Sequence, residues 1–390
     1  AGLDSQRFEQ LVVTGTEGLG EASMLPLARE RGVDPVIIPE LGREIDPRGD
    51  AVALLQLYRL FRRWRPDIVE THTAKAGTLG RLAALLAGVP VRVHVFHGHV
   101  FHGYFSPHKT KLYLQLERLL AHATTRIIAL ADVQRQELLD LRVGTPERVL
   151  AIPLGLDLAP FLDAERSAGR LRRELGLPAR HEGAAGTDTP LAIHTASPLI
   201  GIVGRLVPIK CHEVFFAAAE QILPQIPGAH FVVVGDGERR AELETLASRP
   251  PLLGRVHFLG WRERADLVAV YADLDILALT SDNEGLPTVL IESMAAGRAV
   301  VATDVGGVRS LVTDGETGRL VPPRAPGAFA DACLDLLRHG AQRHALGSAA
   351  RRAVYPRYDL ATLLETMTSF YSSLGELRPP GPHSATQRPG

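Results

Sequence analysis

The sequence predicts an α/β protein with two Rossmann-like domains, each a doubly wound parallel sheet, that face each other across a cleft. Three observations lead to this prediction. The chain has 390 residues, which suits two domains of about 150–200 residues each. Short apolar runs alternate with longer amphipathic stretches in both halves, which indicates parallel strands joined by helices. Polar or glycine-rich residues follow many of the apolar runs, at the strand ends where open parallel sheets bind ligands.

The first half, residues 1–157, is expected to form the N-terminal domain. After an opening strand within Phe8–Val13, the predicted strands are Val36–Ile38, Ile68–Glu70, Val91–Phe96, Ile127–Leu130 and Val149–Ile152. The predicted helices are Ala22–Arg31, Ala51–Trp64, Thr78–Ala87 and Lys109–Ala121. Helical spacing of apolar residues supports the second of these, and Gly88 and Pro90 end the third.

The second half repeats the pattern after an irregular Gly-, Ala- and Thr-rich segment over residues 180–198, and residues 158–359 are assigned to it. The predicted strands are Ile200–Val203, Phe231–Val234, Val256–Leu259, Ile276–Leu279 and Ala299–Ala302, the last of which completes the sheet. The predicted helices are Glu213–Ile222, Arg239–Ala247, Asp266–Tyr271 and Thr288–Ala296. Residues 379–390 are rich in Pro, Gly and polar residues and are expected to be disordered.

Composition excludes several classes of protein. The formal net charge of −1 gives no sign of the basic face that a nucleic-acid partner needs. Two cysteines, Cys211 and Cys333, cannot form a disulfide framework, so a reducing compartment is the simplest expectation. No apolar run approaches the roughly 20 residues of a membrane span, and no secretory signal pattern is present. We therefore expect a cytoplasmic protein, with contact to the cytoplasmic face of a membrane left open.

Two glutamates are separated by seven residues across the start of a predicted helix. Glu284 lies in the loop after the Ile276–Leu279 run, and Pro287 suits the first helical position. Glu292 then lies about five residues into the helix, roughly 7.5 Å along its axis. Carboxylates at two depths beside free helical N–H groups could hold the hydroxyls of a transferred sugar and of a ribose. The alternative is an ordinary loop residue at Glu284 and a solvated helix face at Glu292.

A cationic motif follows the Ile200–Val203 run. Gly204 and Arg205 come at once, and Lys210 follows five positions after Arg205, just before a predicted helix. An arginine can bind two phosphate oxygens and a lysine adds a point charge, so the pair could neutralise a diphosphate leaving group. The alternative is a tight turn with two exposed cations.

Two glycine-containing turns give weaker signals. Gly235 and Asp236 follow the Phe231–Val234 run, and Gly306 and Gly307 follow Ala299–Ala302 by a short loop. Glycines at these places permit close approach of the backbone to a ligand, but they also occur in ordinary turns.

Histidines cluster after the Val91–Phe96 run. His97 stands at the strand end, where it could contact a substrate, and His94, His99 and His102 lie near it. No carboxylate or cysteine cluster accompanies them, so a metal site is not predicted. The pair Asp273 and Asp275 resembles the Asp-x-Asp of metal-dependent transferases, but it precedes its strand, away from the binding edge, and is interpreted as structural.

These motifs occur in a definite order, and residues 200–325 resemble the retaining glycosyltransferases of the sucrose-synthase and mannosyltransferase type (family 4, GT-B fold). The resemblance is carried by Gly204-Arg205…Lys210, Gly235-Asp236-Gly237, Phe258-Leu259-Gly260, Ser281, Glu284-x7-Glu292, Val300–Gly307 and Asp314–Pro322. In the first half, His72–Arg81 and Phe96–Tyr104 are similar to bacterial members linked with exopolysaccharide or envelope glycan assembly.

The resemblance implies a role for each candidate residue. The donor site would contain Gly204, Arg205, Lys210, Gly235, Asp236, Gly285, Leu286 and Glu292. The catalytic residues would be His97, Glu284, Arg205 and Lys210. Within these sets the two cations would bind the donor diphosphate and Glu292 the ribose hydroxyls. Glu284, with the backbone of the next two residues, would contact the transferred sugar, and His97 would lie near it.

The resemblance also implies the reaction. The enzyme would move a hexose from a UDP- or GDP-sugar to a glycan or lipid-linked acceptor, with retention at the anomeric carbon and without a metal or other cofactor. The N-terminal domain would bind the acceptor, the C-terminal domain the donor, and a helix over residues 360–374 would cross back to complete the N-terminal domain.

Three features depart from the family pattern. The chain begins after the family's opening strand and Gly-rich loop, so we expect the N-terminal sheet to lack a central strand. Cys211 stands where a glycine usually follows the lysine. Ser310 occupies a position that is often acidic.

Two other functions share this architecture. A nucleotide-sugar 2-epimerase would need its own set of acid and base groups, and the Glu284-x7-Glu292 element argues against it. A non-catalytic nucleotide-sugar-binding protein would bind the donor without releasing the nucleotide. The aromatic and basic segment Tyr104–Leu120 could rest on a membrane that holds the acceptor, or could form a helix packed on the sheet.

Overall fold

The computed structural model describes residues 2–16, 23, 25–42, 46–97, 107–178 and 197–376. The chain divides into two compact units: unit 1 comprises Ala1–Pro153 with Leu363–Gly390, and unit 2 comprises Leu154–Thr362. Each unit contains parallel strands and helices in alternation, which confirms the predicted fold class. Most of the predicted irregular segment and all of the predicted tail lie outside the described residues. The acceptor and donor roles assigned to the two domains stay predictions.

Unit 1 contains two parallel sheets in its described part. Its strands are β1 (Val13–Thr14), β2 (Val36–Ile37), β3 (Ile68–His72), β4 (Val91–Phe96), β5 (Arg126–Ala129) and β6 (Val149–Ala151). β1 pairs with β2, and a separate sheet has the order β3-β4-β5-β6. A strand is present where the opening strand was predicted, but its bounds differ, because only Val13 and Thr14 have a pairing partner there. The expectation that a central strand is lacking stays a prediction.

The residues at its two ends explain where one long helix of unit 1, α2 (Pro47–Trp64), begins and ends. The helices are α1 (Leu25–Glu30), α2 (Pro47–Trp64), α3 (Ala74–Ala87), α4 (Pro107–His122) and α5 (Asp132–Asp140). The Asp46 carboxylate accepts hydrogen bonds from the first free N–H groups of α2, at 3.1 Å each, and Pro47 suits the first turn. Arg65 ends the helix in the left-handed conformation. The helix α5 was not predicted, because it buries only Leu138.

Unit 2 is built on one six-stranded parallel sheet with the order β12-β11-β10-β7-β8-β9. Its strands are β7 (Leu199–Val203), β8 (His230–Val234), β9 (Val256–Gly260), β10 (Ile276–Leu279), β11 (Ala299–Thr303) and β12 (Arg319–Val321). The prediction that the fifth of these completes the sheet is wrong, because β12 pairs with β11. β12 has a single buried residue and therefore lacks the apolar run that identifies a strand.

Helices cover both faces of this sheet. They are α6 (Ala159–Leu162), α7 (Arg170–Glu174), α8 (His212–Ile222), α9 (Arg240–Ala247), α10 (Arg264–Asp273), α11 (Thr288–Ala295), α12 (Pro326–Arg338) and α13 (Gly340–Val354). The last helix, α14 (Leu360–Glu376), begins in unit 2 and ends in unit 1. Alternate residues of β7 enter opposite apolar clusters: Ile200 and Ile202 pack with Phe215, whereas Leu199 and Val203 pack with Tyr271. Both faces of the sheet are therefore buried.

A buried ion pair in unit 1 supplies a test of its stability. The Arg81 guanidinium donates through one nitrogen to both carboxylate oxygens of Glu117, at 2.9 and 2.8 Å, and both side chains are buried. We expect Glu117→Ala to lower the free energy of unfolding, measured in urea, by about 3–5 kcal/mol, because it leaves a buried cation without its partner. The matched control is Asp34→Ala, which removes an exposed partner of Arg29 and should cost less than about 1 kcal/mol. Equal losses would contradict this account.

Candidate active site

The candidate donor residues follow four strands that are neighbours in the sheet of unit 2. β11, β10, β7 and β8 lie side by side, and each is buried along its whole length. Because the strands are parallel, their carboxyl ends share one edge, and the loops that carry Gly204, Asp236, Glu284 and Gly306 all start there. The sequence predictions for this unit therefore converge on one edge of one sheet.

Lys210 and Glu284 form an ion pair at this edge. The Lys210 Nζ atom lies 2.6 Å from Glu284 Oε1, and the Ser281 hydroxyl donates to the same oxygen at 2.5 Å. Both charged side chains are largely buried, with 19% and 11% exposed. The Thr280 hydroxyl also donates to the Lys210 carbonyl at 2.9 Å. The loops after β7 and β10 are thus held together by side chains that bring a cation and a carboxylate into contact.

Arg205 behaves differently from Lys210. Its side chain is exposed, and within the described residues it forms no hydrogen bond or ion pair. The next residue, Leu206, anchors the loop by a hydrogen bond from its N–H to the Asp236 carbonyl, at 2.9 Å. Arg205 is therefore a cation at the edge of the site with unused donors.

Glu292 is buried, so the alternative of a solvated helix face is wrong. The residue is 8% exposed. It is the fifth residue of α11, and that helix begins at Thr288, one residue after the predicted Pro287. The Tyr271 hydroxyl donates to Glu292 Oε2 at 3.1 Å, and an Arg264 nitrogen lies 4.0 Å from Oε1. Burial raises the pKa of Glu292 above its usual value, while the tyrosine hydrogen bond and the Arg264 charge oppose that rise.

Tyr271 was missed by the sequence predictions. It lies within the predicted helix Asp266–Tyr271 and looks like a core residue, and its ring indeed packs edge-on against Phe161. Its burial and the nearby Glu292 carboxylate raise the pKa of its phenol well above the usual value, so the hydroxyl stays protonated and donates. The hydroxyl of a buried tyrosine usually has a hydrogen-bond partner. A tyrosine within a predicted core helix is therefore the sequence feature that could have indicated this contact.

The glycines at this edge allow loops to pack against each other. Gly235 has φ +127°, and a Cβ atom there would lie 1.9 Å from the carbonyl oxygen of Gly204. A Cβ atom on Gly307 would lie 1.5 Å from the carbonyl oxygen of Gly285. The Gly307 N–H also donates to the Glu284 carbonyl at 2.9 Å. These glycines bring backbone against backbone, and so fix the positions of Gly204 and Glu284.

Asp236 is mostly exposed and faces its own loop. Its carboxylate accepts from the Gly237 N–H at 2.8 Å and from the Arg240 guanidinium at 2.9 Å. These two hydrogen bonds, the first more than the second, lower the pKa of Asp236. Leu286 is half-buried against the apolar cluster, and Gly285 beside it is exposed.

The backbone at Cys211 shows why a glycine would suit this position. This residue has φ 49°, in the left-handed region that glycine adopts without strain. Its thiol is buried, and burial, with the nearby Asp282 carboxylate, raises the pKa of Cys211 to about 12. The thiol is therefore protonated and unreactive at neutral pH.

His97 lies in unit 1, directly after β4. Its side chain is exposed, and its Nε2 atom lies 2.8 Å from Nδ1 of His72. Although the side chain is exposed, partial loss of water around its ring and the neighbouring His72 lower the pKa of His97. Among the described residues, no group of three or more His, Cys, Asp or Glu side chains is arranged to hold a metal ion. His99 and His102 lie outside those residues.

Asp273 and Asp275 are structural, as predicted. Asp273 accepts from the N–H groups of Gly169 and Arg172, at 2.6 and 3.1 Å. Asp275 accepts from the Arg172 guanidinium at 3.1 Å and from the Leu199 N–H at 2.9 Å. The two carboxylates therefore attach the short helix α7 to the amino end of the sheet, at the edge opposite the candidate site.

Comparisons with family models match both units. Residues 197–339 match the family described as glycosyl transferases group 1, and residues 1–155 match the glycosyl transferase 4-like domain. An Escherichia coli relative, UDP-Gal:alpha-D-GlcNAc-diphosphoundecaprenol alpha-1,3-galactosyltransferase, is 32% identical over 287 residues, which cover 73% of this chain and 70% of that protein. The D-inositol 3-phosphate glycosyltransferase of Actinosynnema mirum is 32% identical over 299 residues, which cover 73% of this chain and 67% of that protein.

Comparisons with solved structures support the same fold. The Anabaena protein Alr3699/HepE in complex with UDP has a TM-score of 0.74 and 22% identity, covering 93% of this chain and 92% of that one. Sucrose-phosphate synthase from Thermosynechococcus elongatus has a TM-score of 0.71 and 22% identity, covering 89% of this chain and 85% of that one.

The close approach of Gly235 to Gly204 gives a prediction for the loops of the site. We expect Gly235→Ala to lower the free energy of unfolding by about 3 kcal/mol or more, because it combines an unfavourable φ with a clash against backbone. Gly254→Ala is the matched control: it has φ +72° with open space around it, and should cost only about 1–2 kcal/mol. Chemical denaturation of the two variants measures the difference. A Gly235 variant no less stable than the Gly254 variant would refute the packing described here.

Proposed function

Because this chain belongs to the group 1 glycosyl transferases, we propose that it is a retaining, metal-independent hexosyltransferase that uses a UDP-sugar and a glycan or lipid-linked acceptor. The chain is a glycosyltransferase with the GT-B fold. The observation that carries the finer proposal is the pair Lys210–Glu284 at the sheet edge that also carries Glu292. That edge offers cations for a diphosphate and carboxylates for sugar hydroxyls.

The donor would be bound through its charges and its hydroxyls. Arg205, whose donors are unused, and Lys210 bind the diphosphate. Glu292 accepts hydrogen bonds from the ribose hydroxyls through Oε1, because the Tyr271 hydroxyl already occupies Oε2. Glu284, with the exposed backbone of Gly285 beside it, contacts the transferred sugar.

A retaining mechanism fits a site whose carboxylates are engaged in this way. Glu284 is held by an ammonium and a hydroxyl, and Glu292 is buried against Tyr271, so neither stands as a free base or nucleophile. Retaining glycosidases instead place two carboxyl groups about 5–5.5 Å apart on either side of the bond. Here Lys210 and Arg205 would stabilise the charge that develops on the departing diphosphate, whose oxygen takes the acceptor proton on the same face.

The relatives favour UDP over GDP as the nucleotide and suggest a lipid-linked acceptor. The Escherichia coli relative is named for UDP-Gal and for a diphosphoundecaprenol acceptor, and the Anabaena structure contains UDP. In unit 1, Leu112 and Leu119 lie two turns apart on α4 and are 70% and 69% exposed, next to the exposed Lys111. We propose that this face rests on the cytoplasmic side of a membrane. No helix in the described part of the chain has the length and hydropathy to cross a bilayer.

Nucleotide binding tests the donor site. At a concentration a hundred times its dissociation constant, UDP should stabilise the protein by about 2.7 kcal/mol and raise its melting temperature. Lys210→Ala and Glu292→Ala should abolish that rise, whereas Lys111→Ala, which changes an exposed lysine of unit 1, should leave it intact. A folded protein that responds to no nucleotide would contradict the proposal. Binding without release of UDP from any UDP-sugar would favour the non-catalytic alternative, and an inverted product would refute retention.

Vesicle binding tests the membrane face. The wild-type protein should sediment with anionic phospholipid vesicles at low salt, and the double variant Leu112→Gln/Leu119→Gln should bind more weakly by about tenfold or more per leucine. Leu253→Gln, at a 64% exposed leucine of unit 2, is the matched control and should bind as the wild type does. If the wild-type protein does not sediment, the α4 face is not a membrane contact.

A further inference from the structure

An arginine and two histidines form a short chain of hydrogen bonds in unit 2. The Arg255 Nη1 atom lies 3.2 Å from Nε2 of His230, and Nδ1 of His230 lies 2.9 Å from Nε2 of His257. The two imidazole rings are stacked, with their centroids 5.1 Å apart. His230 is buried at the start of β8, and His257 is half-buried on β9. The chain therefore joins these two strands at the amino end of the sheet, away from the candidate site.

The arginine fixes the direction of both hydrogen bonds. A guanidinium is always protonated and has donors only, so Nε2 of His230 must accept. The proton of His230 then lies on Nδ1, which donates to Nε2 of His257. That nitrogen must accept in turn, so the proton of His257 lies on its own Nδ1 atom. Both contacts form together only when each imidazole is neutral and protonated at Nδ1.

A second proton on either ring breaks one of these contacts. On His230 it would occupy Nε2 and oppose an N–H of Arg255, and on His257 it would oppose the N–H of His230. Arg172, on α7, adds a further positive charge near His230. The nearby Asp275 carboxylate is already engaged, because it accepts from the Arg172 guanidinium at 3.1 Å. The surroundings thus favour the neutral form of both histidines.

The pKa values give the pH range in which the contacts weaken. Burial first, and then the charges of His257, Arg255 and Arg172, lower the pKa of His230 to about 4. Burial and Arg255 also lower the pKa of His257. Once exposed to water, each histidine regains its ordinary pKa of about 6.5. Because the folded pKa is the lower one, the contacts keep their full strength above about pH 6.5 and lose it progressively as the pH falls towards 4.

β9 is the element that this loss would release. It lies at the edge of the sheet, and within the described residues its one strand partner is β8. None of its five residues is buried, and local opening begins where few side chains are buried. The carbonyl of its last residue, Gly260, accepts from the Gly235 N–H at 2.8 Å. Opening of β9 would therefore also remove a support of the loop that carries Gly235.

We propose that His230 and His257, together with Arg255, form an acid-sensitive switch that fastens the edge strand β9 to β8 at neutral pH and releases it when either ring is protonated. All three residues belong to unit 2, and no ligand takes part. The switch is therefore independent of the proposed function and can be tested in the protein without a nucleotide.

The positions of the ring protons can be measured directly. In protein labelled with ¹⁵N-histidine, two-bond proton–nitrogen spectra at pH 7.5 distinguish a protonated ring nitrogen from an unprotonated one. The signals are assigned by their loss in His230→Asn and in His257→Gln. We expect both histidines to be protonated at Nδ1 and unprotonated at Nε2. A proton on Nε2 of either ring in the wild-type protein would overturn the proposal.

Hydrogen exchange measures the opening of β9. The protection factor of a peptide over residues 256–260, which corrects for the effect of pH on intrinsic exchange, is compared at pH 7.5 and pH 5.0. A pKa of about 4 in place of 6.5 should make the open state about tenfold or more as frequent at the lower pH. The double variant His230→Asn/His257→Gln should lose most of this dependence, whatever its stability at pH 7.5. The control His344→Gln changes an exposed histidine of α13 and should behave as the wild type does.

Arg255→Met separates the role of the arginine from that of burial. Without the guanidinium, a proton on Nε2 of His230 opposes no donor, so the pKa of His230 should rise and the pH dependence of β9 protection should weaken. Arg249→Met, at an exposed arginine of the same unit, is the matched control and should leave that dependence unchanged. The proposal fails if β9 protection in the wild-type protein does not fall with pH. It also fails if the double variant or Arg255→Met keeps the full dependence.

Discussion

Burial of both faces of the central strands is the constraint on which the architecture of unit 2 depends. β7 and β10 have no exposed residue along their length, so polar chemistry begins only where each strand ends. Because neighbouring strands are parallel, those ends lie along one edge, and the loops that follow them pack closely together. Gly235 and Gly307 permit this packing, because without a Cβ atom their backbone can lie directly against the backbone of another loop. The positions of Gly204 and Glu284 are therefore consequences of how the sheet is packed.

The same packing gives the Lys210–Glu284 pair its character. Two largely buried charges lie 2.6 Å apart, and Ser281 adds a hydrogen bond to the carboxylate. Most of the cost of removing the ammonium from water is thus met when the protein folds and is offset by the carboxylate. The Lys210 ammonium would therefore be largely desolvated before a diphosphate binds. Binding would require only that Lys210 share its contact with Glu284 or exchange it for the diphosphate. Arg205, exposed and without a partner in the described residues, would meet the diphosphate first.

The sequence predicts the elements that have strong apolar runs and the residues that follow them. The five buried or half-buried strands of unit 2 from β7 to β11 are predicted to within a residue at each end, because both faces of the sheet demand apolar side chains. β12 was not predicted and the bounds of the opening strand were predicted wrongly, since pairing partners, which are distant in sequence, decide where a strand exists. The burial of Glu292 and its contact with Tyr271 depend on how α10 and α11 pack, which no local spacing reveals. Glu70 and His72 lie two positions apart in β3 and therefore on one face of it, but the predicted strand ended at Glu70, so their contact was not predicted.

In both units a tyrosine hydroxyl donates a hydrogen bond to one oxygen of a glutamate carboxylate. A carboxylate has two equivalent oxygens and rotates freely, so it makes a poor directional acceptor unless one oxygen is already held. Tyr271 holds Oε2 of Glu292, and Tyr371 holds Oε2 of Glu70, each through a phenol that comes from a helix distant in sequence. The other oxygen has a different neighbour in each case: on Glu292 it lies 4.0 Å from an Arg264 nitrogen, and on Glu70 it lies 3.3 Å from Nε2 of His72. Each phenol has its pKa raised by burial first and by the neighbouring carboxylate second, so it cannot lose the proton that it donates. In each unit a protonated tyrosine therefore restricts the rotation of a carboxylate and fixes the direction in which it can accept a hydrogen bond.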